Sequence, residues 1–357
     1  MKELLKIIRS KPISLLLVFV PLALAAETLH WNPLAIFIIA AVGVVPLAAY
    51  IGEATEALAG YTSPRVGALL NATLGNAAEL IITITAIQAG LLELVKASIT
   101  GSILGNLLLV MGLSMVVGGV KHGIQTFDRR SAGRNAVLLL LAVVAMLVPS
   151  TFSHSIGPDN SVPVEALSIG VAIVMIVLYG LGLLDAARSP DSPITHNTPE
   201  NSRPRWSVRT SVLILVAATL AIVFLSEVLV GSVEAVVADY NISEFFLGII
   251  LIPIIGNVAE HIVAVQFAAR NKMDLSVEIA VSSSLQIALF VAPLLVFISL
   301  AMGNPLQLIF NQFELIALLI GVIIASLVSA DGESTWLEGA GLLAVYTIFA
   351  LAFFLLP

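Results

Sequence analysis

Two short segments carry the residues best suited to holding a hard cation: Gly75-Asn76-Ala77-Ala78-Glu79 and Gly256-Asn257-Val258-Ala259-Glu260. Each places a carboxylate three residues after an amide, near the middle of a long apolar run. A charged side chain at that depth of a hydrocarbon layer costs a few kcal/mol even on mild insertion scales, so it marks a function. Gly-Asn weakens a helix interior, and Pro253 removes another backbone donor shortly before Gly256, which predicts a helix break just ahead of each glutamate. Such a break frees backbone carbonyls and leaves Glu79 and Glu260 in the first turn of a half-helix, whose dipole favours negative charge. Two carboxylates with amide, hydroxyl and carbonyl oxygens suit Ca²⁺, which takes six to eight oxygen ligands in flexible geometry. Mg²⁺ demands a tighter octahedron and Zn²⁺ prefers His or Cys, of which the chain has five and none. The bland alternative is a pair of protonated glutamates acting as interhelical glue.

Other polar residues fall at matching depth. Ser102 and Asn106 lie four apart on one helix face, as do Ser282 and Gln286. These residues and Ser283 read either as support that orients the carboxylates or as ordinary interhelical hydrogen bonding. His261 follows Glu260, where the first motif has Leu80, so symmetry lends it no support. Glu56 and Glu227 sit towards opposite ends of their runs and read as proton relays on the two access paths or as interfacial charges. Glu53 and Glu234 fit either account. Glu93, Glu244, Asp274, Asp331, Glu333 and Glu338 are read as loop and cap residues.

The elements that must position these groups are membrane spans. Of 357 residues, 59% are hydrophobic and 11% charged, a balance that excludes an ordinary soluble domain. Eleven apolar runs are long enough to cross a bilayer as helices, at 12–30, 33–60, 66–89, 93–118, 134–150, 162–186, 208–235, 243–269, 275–301, 307–330 and 335–356. With the N-terminus inside, fifteen of the sixteen basic residues fall on that side and only Lys96 lies near an outer end. The positive-inside rule therefore predicts a cytoplasmic N-terminus and an outside C-terminus. The first run, preceded by Lys2 to Lys11 and followed by Ala23 and Ala25, also has the pattern of a cleavable signal peptide.

The polar stretch 188–207 reads as a cytoplasmic linker that divides the chain into an N-terminal helix (1–30), a first five-helix repeat (31–187) and a second (208–357). At a constant offset of 181 residues, Gly67 aligns with Gly248, Gly75-Asn76 with Gly256-Asn257, Ala78-Glu79 with Ala259-Glu260, Ser102 with Ser283 and Leu104 with Leu285. Thr55-Glu56-Ala57-Leu58 resembles Ser226-Glu227-Val228-Leu229 after allowing ten extra residues in the second half. Five crossings per repeat force the second to enter from the opposite side. The expected fold is an all-α polytopic membrane protein with two inverted repeats and helices interrupted at the midplane, which brings Glu79 and Glu260 together there.

The sequence resembles the calcium/cation antiporters and, within them, the proton-coupled calcium exchangers. The segments Gly75 to Leu80 and Gly256 to His261 are similar to that family's two repeat motifs, and His after the second Glu marks the proton-coupled branch. Ser98 to Leu108, Val277 to Phe290, and Asp331-Gly332-Glu333 with Trp336 and Glu338-Gly339 are similar to family segments as well. The resemblance implies Ca²⁺ held by Glu79 and Glu260, helped by Asn76, Asn257 and backbone oxygens, with Gln286, Ser283 and His261 in support. It implies an exporter that exchanges Ca²⁺ for H⁺ by alternating access in a prokaryotic inner membrane, with the ions and the lipid bilayer as its partners. No cofactor and no nucleic acid are expected. The connector carries Asp191 and Glu200 against Arg188, Arg203 and Arg205, unlike the acidic helix of many members. Rival readings are sodium-coupled exchange and a passive channel, for which no repeated selectivity loop is found. An enzyme is not expected, because the interior lacks a paired-His metal motif or nucleophile arrangement.

Overall fold

The computed structural model describes residues 12–158, 161–188 and 206–356. The inside linker and the basic residues Lys2 to Lys11 lie outside the described residues, apart from the ends of the linker. Among the described residues, eight helices are long and apolar enough to cross a membrane, and three shorter apolar stretches, Pro12–Thr28, Ala77–Gln88 and Gln312–Val328, fall at the other three expected spans. The helix starts follow their capping chemistry. Asn32 accepts from the Leu34 amide ahead of Pro33–Ala59, and Asn311 and Thr335 form reciprocal capping boxes with Glu314 and Glu338.

The chain packs into two compact units, each drawing on both halves of the sequence. The first comprises the described part of residues 1–89 with 180–244 and 255–259. Here the second span, Pro33–Ala59, runs along the seventh, Val208–Gly231. Gly43 permits the contact, since a Cβ there would lie 2.9 Å from Leu225 Cδ1. The third span is split into Pro64–Leu74 and Ala77–Gln88, parted at Gly75-Asn76 where the sequence predicts a break. Beyond Ser232 the seventh span continues as Val233–Tyr240, whose Tyr240 hydroxyl donates to Asn32 Oδ1 at 2.8 Å. At the other end Trp206 stacks on Tyr50 with ring centroids 6.3 Å apart.

The second unit comprises 90–179, 245–254 and the described residues from 260 onward. Three of its spans contain π-helical turns, at Gly105–Val110, Leu247–Leu251 and Ile287–Val291. Such turns are rare and tend to occur at functional positions. The first and third coincide under the 181-residue offset. Gly101 allows the fourth span, Leu92–His122, to meet the eighth, because a Cβ there would overlap the Ile249 carbonyl. Gln125–Thr126 and Glu333–Ser334 form a short antiparallel pair that ties two loops.

Two expectations need correcting. In the eighth span the irregular turn lies at Leu247–Leu251, and the helix Ile252–Ala268 runs unbroken through Gly256-Asn257. Pro253 sits in the first turn of that helix, where its missing N–H costs least, so the chain recovers α geometry before the Gly-Asn pair. Glu260 therefore lies in the body of a helix and not in its first turn. The tenth span begins at Gln312, not at 307, because residues 304–311 are non-helical although Leu306, Leu308 and Phe310 are buried.

Candidate functional site

In the first unit, Glu79 occupies the first turn of Ala77–Gln88, directly after the break. Asn76, Glu79 and Asn257 are buried, at 0%, 4% and 1% exposure. A Cβ built on Gly256 would lie 3.0 Å from Glu79 Cγ and 3.4 Å from its Oε1, so the second motif's glycine makes room for the first motif's carboxylate. The two motifs thus meet within this unit through Gly256 and Glu79. Glu56 and Glu227 have exposed side chains, while their sequence neighbours Thr55 and Ser226 are fully buried. That places the two acids away from the packed interior of the unit.

In the second unit a short relay converges on the other carboxylate. Asn106 Nδ2 donates to Ser283 Oγ at 3.0 Å. With its oxygen accepting from Asn106, the Ser283 hydroxyl directs its proton to the Glu260 carboxylate. Asn106 and Ser283 are buried, as is Ser102. Gln286 is half-buried at the end of Met273–Gln286, and His261 Nε2 is buried without a hydrogen bond. Ser282, by contrast, reaches only its own helix at the Ile279 carbonyl. The Asn106–Ser283 hydrogen bond therefore joins two spans.

Sequence reasoning missed Glu314. It is 1% exposed, its Oε2 accepts from the Asn311 amide at 2.8 Å, and its Oε1 accepts from Thr100 Oγ1 at 3.3 Å. The signal available was the Asn311-Gln312-Phe313-Glu314 spacing, that of an N-cap followed by its capping-box partner.

Both carboxylates thus stand among amide, hydroxyl and glycine neighbours, a donor set of oxygens that suits a hard cation and a proton alike. The model of the sodium/calcium exchanger protein family matches residues 32–184 and 210–355. A Ca(2+)/H(+) antiporter of Aphanothece halophytica is 44% identical, with 96% of each chain covered. The Ca(2+)/H(+) antiporter ChaA of Bacillus subtilis is also 44% identical, over 94% of this chain and 97% of its own. Among solved structures, native YfkE superposes with a TM-score of 0.85 at 42% identity, covering 96% of this chain and 100% of that one. The chain belongs to the sodium/calcium exchanger protein family and, within it, to the proton-coupled calcium exchangers.

Proposed function

We propose that this protein is a secondary transporter that exchanges Ca²⁺ for H⁺ across the membrane by alternating access, exporting Ca²⁺ from the cytoplasm. The observation that carries the reading is the repeated Gly-Asn-x-Ala-Glu motif, which puts one carboxylate on each of two equivalent spans. Near-full-length similarity to antiporters named for Ca²⁺ and H⁺ supports the choice of ions. Glu79 and Glu260 are the Ca²⁺ ligands, aided by Asn76 and Asn257. Ser283 and Ser102 support them, with Gln286 and His261 nearby. Glu56 and Glu227 serve the access paths for protons. The repeats are 31–187 and 208–357, joined by the cytoplasmic linker 188–207. The N-terminus is cytoplasmic and the C-terminus outside, in a prokaryotic inner membrane, which the distribution of basic residues supports.

Coupling follows from electrostatics. Two ionised glutamates facing one Ca²⁺ are formally neutral, and so are two protonated glutamates with no metal. An empty, doubly ionised pair would hold like charges in a low dielectric, which disfavours reorientation and prevents a leak. The test is purified protein in vesicles, assayed for Ca²⁺ uptake and proton movement together. Uptake driven by a proton gradient and indifferent to sodium is expected. Uptake that follows a sodium gradient would replace the reading with sodium coupling, and flux independent of both gradients would point to a channel.

A further inference from the structure

Residues 304–311 form a largely buried segment outside any helix or sheet, whose Asn304 amide bonds the Ser299 carbonyl while the peptide groups that follow rely on side chains. An unsatisfied peptide group is costly at such a place, so its partners reveal what holds it. They are side chains from five different elements. Ser299 Oγ accepts from the Leu306 amide at 2.8 Å, and Ser168 Oγ from the Leu308 amide at 3.1 Å. Ser150 Oγ accepts from the Phe310 amide at 2.9 Å. Lys96 Nζ donates to the Ile309 carbonyl at 2.9 Å, and Glu314 Oε2 takes the Asn311 amide. The segment is a strap pinned at nearly every buried residue.

Two of these pins grip the fourth span. Lys96 and Thr100 lie one helical turn apart on a single face, Lys96 on the strap and Thr100 on Glu314. One turn further on, Leu104 fits against Gly321 of the tenth span, where a Cβ would lie 2.6 Å from Leu104 Cδ2. About 100° round the helix from Thr100, Gly101 abuts the Ile249 carbonyl and Pro253. The span is clamped between two neighbours just before Asn106, the donor that orients Ser283 towards Glu260.

We propose that Glu314, acting through Thr100 and with Lys96, is a positioning residue for the exchange reaction. The buried strap and the head of the tenth span hold the fourth span in the register at which Asn106 and Ser283 present a hydroxyl to Glu260. Glu314 itself does not touch the transported ion. This rests on the assignment of Glu260 as an ion ligand.

The experiment compares Glu314→Gln, Thr100→Val, Thr100→Ser and their double variant in vesicles, reading apparent Ca²⁺ affinity separately from maximal rate. Glu314→Gln and Thr100→Val are each expected to weaken apparent affinity about tenfold, the order of one charge-assisted hydrogen bond, with a smaller change in maximal rate. Thr100→Ser, which keeps the hydroxyl, should restore wild-type affinity. The Glu314→Gln, Thr100→Val double variant should be no worse than the stronger single one. In a Ser283→Ala background, where Glu260 has already lost its hydroxyl partner, Glu314→Gln should add little. Wild-type affinity in Glu314→Gln and Thr100→Val, or a Glu314→Gln effect undiminished by Ser283→Ala, would overturn the proposal. Should Glu314→Gln not fold, Thr100→Val and Thr100→Ser carry the same comparison from the other side of the bond. Glu260→Gln separates the two readings: if it is inert while Glu314→Gln behaves as wild type, the ion site stands and the positioning role falls. If Glu260→Gln still exchanges, the ion-site assignment itself is wrong.

Discussion

At the scale of single residues, the proposed function rests on two glutamates, Glu79 and Glu260, and Gly256 makes room for the first of them. Neutralising either acid removes half of the formal countercharge to Ca²⁺. Glu79→Gln and Glu260→Gln should therefore each nearly abolish exchange while leaving membrane expression unchanged, and near-normal Ca²⁺ flux in either would sink the two-carboxylate site. Gly256 offers a finer probe. A methyl group there would press on Glu79 Cγ at 3.0 Å, so the Glu79 side chain must shift. Overpacking of this kind costs about 1–3 kcal/mol. Gly256→Ala should thus lower Ca²⁺ affinity more than it lowers thermal stability, read by Ca²⁺ titration beside a melting curve in detergent. Unchanged affinity would mean that Glu79 has slack that the geometry denies. These residues were legible in the sequence because midplane polarity is expensive and the two motifs repeat. The contact between Gly256 and Glu79 was not, since it joins residues far apart in the chain.

At the scale of elements, helix irregularities decide where those residues point. The break at Gly75-Asn76 was readable because two poor helix formers stand together in an apolar run. Its counterpart at Gly256-Asn257 does not form, because Pro253 is absorbed just after a π-helical turn and the following residues stay α-helical. No local propensity signals a π turn, so those at Gly105–Val110 and Ile287–Val291 could not be foreseen. Residues 307–311 of the strap read as the head of a helix because buried Leu308 and Phe310 continue the apolar run that follows. Two of its amides bond to serines more than a hundred residues upstream, Ser168 and Ser150, beyond the reach of pattern reasoning. Repeat equivalence gives a prediction at this scale. Ser102→Ala and Ser283→Ala should weaken transport by comparable amounts, of the order of one buried hydrogen bond, about 1 kcal/mol. A severe defect in Ser283→Ala with none in Ser102→Ala would confine support of the site to the Asn106–Ser283–Glu260 relay.

At the scale of the whole molecule, eleven spans and two inverted repeats were legible from apolar run length and a constant offset, and family membership agrees with them. Orientation remains a proposal from the basic residues, and the lack of any cysteine makes it easy to test. Ile124→Cys, between the fourth and fifth spans, should react only with permeant reagents in whole cells. Ser155→Cys, at the far end of the fifth span, should react with impermeant ones. The reverse pattern would invert the topology.

The central claim is that Ca²⁺ and protons occupy the same two carboxylates in turn. Its most direct test is Ca²⁺ binding to the detergent-solubilised protein between about pH 5 and pH 8, a range in which interacting buried carboxyls can titrate. Protons bound to Glu79 and Glu260 leave no anionic oxygens for the metal, so apparent Ca²⁺ affinity should fall as pH falls. Because the two acids interact, the fall should follow a pair and not two independent sites. Affinity that stays flat across the range while transport remains proton-driven would contradict the shared site and move proton carriage to other residues, with Glu56 and Glu227 first in line.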